Sequence, residues 1–165
     1  PIPFAAVATD LATGEPVSLT TGNLATAIHA SFAIPVVFEP VFLHNTYMID
    51  GGCSAPVPVS SAKQLGADIV IAVNLDAYPP SDQHQAKETK KPNVKDAGFA
   101  TVNCFRYNLA KELCRSADIT IIPDVVHTSS LNLLQVIKGS EVIKKGYDAT
   151  IAHMPAIKRR MRMLK

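Results

Sequence analysis

The sequence predicts an α/β domain, a layered sheet with helices on both faces, on three observations. Short runs of Val, Ile, Ala and Thr recur along the 165 residues, and between them lie segments whose apolar residues fall at spacings of three and four. One run, residues 68–75, is so continuously apolar that it reads as a strand covered on both sides. Residues 4–9 and 16–21 read as a hairpin whose connection carries Asp10 and Gly14, both suited to turns. Asn23 is an N-cap for a helix to about Phe32, with Leu24, Ala27, Ile28 and Ser31 on one face and Pro35 beyond its end. Residues 36–43 and 46–49 are two further strands around a turn at His44-Asn45, and a short helix opens at Ser60 or Ser61 and ends at Gly66. The polar, Lys- and Pro-rich stretch 77–95 reads as a mobile surface loop, residues 96–117 as a helix, and 118–123 as a strand. From about Leu131 the chain is helical, with Ile143, Tyr147, Ile151 and Met154 in a stripe that Gly146 and Pro155 interrupt without ending. No internal repeat is evident.

Hydrophobic residues at 47% and charged residues at 18% describe a chain that folds rather than a disordered one. Every apolar stretch is broken by Pro, Gly or a charge before the roughly 18–20 residues needed to span a bilayer. The opening Pro1-Ile2-Pro3-Phe4 has neither an initiator Met nor a signal-peptide layout, so the chain reads as part of a longer polypeptide. Cys53, Cys104 and Cys114 are odd in number and form no CxxC pair, which points to buried thiols in a reducing compartment rather than a disulfide framework or a zinc site. Five histidines are scattered without an HExxH or an i, i+4 pair, and no phosphate-binding glycine loop is present. No metal or organic cofactor is implied. The net charge of +2 is unevenly spread, with five acids against Lys63 alone through Leu75 and the excess of bases beyond it.

Asp50-Gly51-Gly52 is the segment best suited to chemistry. It places a carboxylate at the end of the apolar run Tyr47-Met48-Ile49, at the mouth of a sheet, ahead of the sequence's one adjacent glycine pair. A catalytic base belongs in such a place. On local sequence alone, a turn or capping carboxylate is the competing reading.

Five blocks in order resemble a known family. They are Ala8-Thr9-Asp10-Leu11 with Thr13-Gly14-Glu15; Gly22-Asn23-Leu24-Ala25 running to Ala33-Ile34-Pro35; Asp50-Gly51-Gly52; Pro56-Val57-Pro58-Val59; and Leu65-Gly66-Ala67-Asp68 before an apolar strand. Together they resemble the C-terminal half of a bacterial patatin-like phospholipase domain, from about Phe4 to Leu75. The resemblance implies a serine lipid acyl hydrolase with a Ser-Asp dyad and no histidine, acting on phospholipids or other fatty-acyl esters. In it Asp50 is the general base, and Gly51 and Gly52 let the backbone turn beside the nucleophile; the position of Phe32, Val37 and Phe38 between the helix and Asp50 makes them the expected lining of the acyl cleft. It also implies a bacterial protein in the cytoplasm or at a membrane surface, with export left open.

The family's nucleophile sits in a Gly-x-Ser-x-Gly turn. The eight glycines here stand at 14, 22, 51, 52, 66, 98, 139 and 146, no two of them four apart, so no such turn exists in this sequence. The chain is therefore expected to be inactive alone and to need the N-terminal half of the same domain. Pairs such as Cys53-His44 or Ser54-Asp50 can be written as substitutes, and Ser31 reads as a packing or backbone-bonded serine. An exposed cut edge of half a sheet would imply either a homodimer joined through that edge or a fragment that arises after the whole domain has folded. The alternative is a non-catalytic lipid-binding or regulatory module that has lost its nucleophile. Lys158, Arg159, Arg160, Arg162 and Lys165 read first as a solvated helix end at the negative pole of its dipole, and second as a peripheral contact with anionic lipid. The lack of aromatics among them argues against nucleic acid.

Overall fold

The computed structural model describes residues 2–77, 93–125 and 139–164, and the chain divides into two compact units, Pro1–Ala67 and Asp68–Lys165. The architecture is mixed α/β, as expected. Most of the expected loop, residues 78–92, and the expected helical residues 131–138 lie outside the described residues.

The first unit holds a four-stranded antiparallel sheet in the order β2-β1-β4-β3. β1 (Ala6–Asp10) and β2 (Pro16–Leu19) form the expected hairpin, paired Ala6 to Leu19 through Thr9 to Pro16. Its connection is fastened by Asp10, whose Oδ1 accepts from the Ala12 and Thr13 amides and from Thr46 Oγ1 at 2.8, 3.3 and 3.0 Å. Gly14 meets the chain's need for a positive φ of 76° there. The Ala12 amide above all, with Thr46 and Thr13, holds the Asp10 carboxyl below its ordinary pKa despite an opposing burial effect. A carboxylate lowered on folding contributes stability that is whole above its unfolded pKa, about 4, and is lost as pH falls through the lower folded value. The urea midpoint of the chain is thus expected to exceed that of Asp10→Asn at pH 6, and the gap to close in the acid range below about pH 4.

α1 (Leu24–Ser31) is capped by Asn23, whose side chain accepts from the Thr26 amide at 3.0 Å. The helix packs on β1 and β4 through Ala27 and Ala30. Of the expected face, Ala27 is buried and Ser31 partly so, while Leu24 and Ile28 are exposed, because the small alanine side lets the helix lie close on Ala6, Ala8 and Met48 of the sheet. β3 (Val41–Leu43) and β4 (Thr46–Asp50) flank a two-residue turn in which His44 and Asn45 both have positive φ, 52° and 65°, as a hairpin of this twist requires. The strand expected over 36–43 begins only at Val41. Ile34 accepts from the Val37 and Phe38 amides, folding 34–38 into a turn, and Val36 stands 93% exposed at φ 73°. Prolines at 35 and 40 bracket that segment and keep it from joining the ladder. After β4 a single 3₁₀ turn, Gly51–Cys53, leads through Pro56 and Pro58 to the short helix α2 (Val59–Gln64).

In the second unit β5 (Ile71–Val73) pairs in parallel with β6 (Ile119–Ile121), and α3 (Val94–Cys114) lies between them in sequence. Val70, Ala72 and Asn74 are buried while Ile71, Val73 and Leu75 are exposed, so β5 has one packed face where two were expected. Alternation along the pleat accounts for this: an apolar run does not itself report how many layers cover it. α4 (Gly139–Arg162) passes through Pro155 without ending, and its C-terminal part is tied to the sheet by Arg160, which gives Asp118 hydrogen bonds of 2.6 and 3.1 Å. Asp118 also accepts from the Val70 amide at 2.9 Å. Arg160 is thereby engaged within its own unit, whereas Lys158, Arg159 and Arg162 are exposed. The stripe Ile143, Tyr147 and Ile151 has its expected i, i+4 spacing, and it is solvent-exposed. The expected burial of the thiols is corrected for two of three: Cys53 and Cys104 are exposed and Cys114 is partly buried. Desolvation raises the Cys114 thiol pKa against the opposing hydrogen bonds of Thr120 and Asn74.

Candidate functional site

Asp50 is the last residue of β4 and the N-cap of the 3₁₀ turn that follows, so strand and turn fix it from both sides. In the sheet it pairs with Ala8. Its amide donates to the Ala33 carbonyl just beyond α1 at 3.0 Å, and its carbonyl accepts from Thr9 Oγ1 at 2.9 Å. The carboxylate Oδ1 accepts from the Gly52 amide at 2.6 Å. Oδ2 has no protein partner among the described residues, and the side chain is only partly buried.

Both glycines have distinct tasks. Gly52 supplies the amide that orients the carboxylate. Gly51 is buried against β1: a Cβ built there would lie 2.7 Å from the Val7 carbonyl carbon and closer still to its oxygen. The same Val7 carbonyl accepts from Ser31 Oγ at 2.7 Å, which commits Ser31 to the backbone. Carbonyl Gly51 in turn accepts from the Ser54 and Ala55 amides at 3.2 and 2.7 Å and closes the turn.

A chain of hydroxyls stands behind Asp50. Thr9 Oγ1 lies 2.8 Å from Ser54 Oγ as well as 2.9 Å from the Asp50 carbonyl. Thr9 has one proton and the carbonyl can only accept, so Thr9 donates to Asp50 and Ser54 donates to Thr9. Ser54's proton is thus directed to Thr9 and away from the Asp50 carboxylate. Thr9 stands in the first of the five sequence blocks, but nothing in its spacing points to Ser54; the one signal is a hydroxyl among the apolar residues of β1.

Phe32, Val37 and Phe38 stand at the end of α1 and in the 34–38 turn, 44%, 46% and 38% exposed. The Phe32 and Phe38 rings meet edge to face at 5.4 Å, and His29 packs on Phe32 at the same centroid distance. This aromatic group belongs to the segment whose Ala33 carbonyl holds the Asp50 amide. Among the described residues no cluster of His, Cys, Asp and Glu is arranged to hold a metal ion, and no helix is long and apolar enough to cross a membrane.

An antiparallel sheet here presents a partly buried carboxylate at a strand end, ahead of a glycine whose Cβ would meet the Val7 carbonyl. Residues 2–63, the part of the chain that builds this sheet, match the family model described as patatin-like phospholipase. An uncharacterised NTE family protein of Mycobacterium bovis and two of Mycobacterium tuberculosis are each 40% identical to the chain over 94 residues. The aligned stretch is 57% of this chain and 25% of each relative, so the chain spans about a quarter of the length of the curated relatives it matches.

Proposed function

We propose that this chain contributes the general base and part of the acyl-binding wall to a lipid acyl hydrolase whose nucleophilic serine lies elsewhere in the same protein. The observation that carries the reading is the Asp50 carboxylate, held by Gly52 through Oδ1 with Oδ2 unengaged among the described residues. The patatin-like family model that residues 2–63 match supports the reaction class. A serine hydroxyl is a weak nucleophile until a base takes its proton, and a carboxylate in hydrogen-bond reach does so without histidine.

In this mechanism Oδ2 removes the serine proton as the serine oxygen attacks the ester carbonyl. The protonated Asp50 then returns the proton to the departing alcohol, leaving an acyl-serine. Water next gives a proton to Asp50 and attacks the acyl carbon; the fatty acid leaves and the serine recovers its proton. Phe32, Val37 and Phe38 offer apolar surface for the acyl chain close to the backbone that carries the base, and no metal or organic cofactor enters any step. The substrate is a phospholipid or another fatty-acyl ester.

Two assays with a fluorogenic fatty-acyl ester test this reading. The isolated chain is expected to give no turnover, because its sequence contains no Gly-x-Ser-x-Gly turn. The full-length protein is expected to hydrolyse the ester and to lose that activity in Asp50→Asn. Turnover by the isolated chain that disappears in Asp50→Ala would place the nucleophile within these residues. A full-length protein without turnover would favour a non-catalytic lipid-binding or regulatory module.

A further inference from the structure

We propose that Thr9 is a positioning residue for Asp50, its buried hydroxyl setting the main chain from which the carboxylate projects. The inference rests on the reading of Asp50 as the base and adds to it the group that determines where the base stands.

Thr9 lies in the middle of the sheet and is 3% exposed, one of few polar side chains buried among the described residues. A buried hydroxyl without a partner is costly, and a β-branched apolar residue would suit this strand position equally well. The hydroxyl is satisfied twice, giving its proton to the Asp50 carbonyl and receiving one from Ser54. These two bonds join β1 to both sides of the 3₁₀ turn, Asp50 before it and Ser54 after it. Thr9 pairs with Ile49 in the ladder, so its side chain reaches the next residue of β4 at the point where regular pairing gives way to the turn.

The Asp50 carbonyl is a lever on its carboxylate. Rotation of the Asp50–Gly51 peptide moves the Gly52 amide, and that amide holds Oδ1. Loss of the Thr9 bond frees the peptide while leaving the Asp50 amide on Ala33 and the sheet pairing to Ala8 intact. The carboxylate is then expected to sample orientations displaced from the reacting geometry, and a misplacement of about 1 Å can cost on the order of 100-fold in rate. Thr9 itself touches neither substrate nor the reacting atoms.

The test is made in the full-length protein with Thr9→Val, which keeps the shape and removes the hydroxyl, alongside Thr9→Ser, Thr9→Cys, Asp50→Asn and the control Ser61→Ala. Ser61 is a buried hydroxyl of the same unit, bonded to Ser18 at 2.8 Å, and it bears on the general cost of losing such a bond. Thr9→Val is expected to lower kcat by about 10- to 100-fold with KM unchanged, and Thr9→Ser to return it to within about threefold of the parent. Ser61→Ala is expected to lower the melting temperature while leaving kcat unchanged. Should Thr9→Val not fold, Thr9→Cys, similar in size with a weak donor, is expected to fold and to fall between parent and Asp50→Asn. If Asp50→Asn lowers kcat while folded Thr9→Val or Thr9→Cys retains it, the positioning role is wrong and the base stands. If Asp50→Asn retains kcat, the base assignment itself fails.

Discussion

Gly51→Ala is expected to unfold or severely loosen the first unit, with a loss of about 3 kcal/mol or more, at the upper end of what overpacking costs. The obstacle is backbone: the new methyl would enter the space of the Val7 carbonyl, in the central strand of the sheet. A flexible side chain could swing away; a strand carbonyl that also accepts from Ser31 cannot move without disturbing α1. Relief must come from lifting the 50–53 turn off β1, which breaks the Thr9 bond to Asp50 and shifts the carboxylate. Gly98→Ala gives the contrast. It lies in α3, exposed, with nothing near the position of a new Cβ, and alanine should stabilise the second unit by about 0.5–1 kcal/mol through helix propensity. Denaturant unfolding of the two variants beside the parent checks both signs.

Asp50→Asn is expected to lower turnover of the full-length protein by about 10²- to 10⁴-fold, the range that a positioned general base supplies. Its fold should be retained. The amide oxygen of asparagine can still accept from Gly52, and the main-chain bonds to Ala33 and Thr9 and the ladder pairing with Ala8 do not involve the carboxylate. What disappears is an oxygen able to take a proton. Gly51→Ala and Asp50→Asn therefore separate two losses at adjacent residues. In the first, activity falls with stability; in the second, activity falls while the melting temperature stays within a few degrees of the parent, as a change of under about 1 kcal/mol implies.

Local chemistry was the readable part of this fold. Asn23 announced a helix start because an amide side chain beside free backbone amides has one good use there, and His44-Asn45 announced a turn between apolar runs. Asp50 was placed at a strand end by the apolar residues before it and the glycines after it. Features set by packing were less legible. Leu24 and Ile28 outweigh Ala27 and Ala30 in hydrophobicity, yet the alanines face the sheet, because close approach to β1 and β4 favours small side chains. The run 36–43 has strand-like composition, but Pro35 and Pro40 with a left-handed Val36 make half of it a turn. β5 looked doubly covered because apolar composition cannot report whether a second layer is present. Thr9 was invisible as a site residue for a related reason: its partners are a carbonyl 41 residues away and a hydroxyl 45 residues away, and spacing along the chain carries no trace of either.

The central claim is that the free oxygen of Asp50 takes a proton from a serine. The most direct measurement is the rate at which a fluorophosphonate ester labels the serine of the full-length protein, for parent and Asp50→Asn, at neutral pH. The account predicts labelling of Asp50→Asn that is at least about 100-fold slower than that of the parent. Undiminished labelling of a folded Asp50→Asn protein would contradict it.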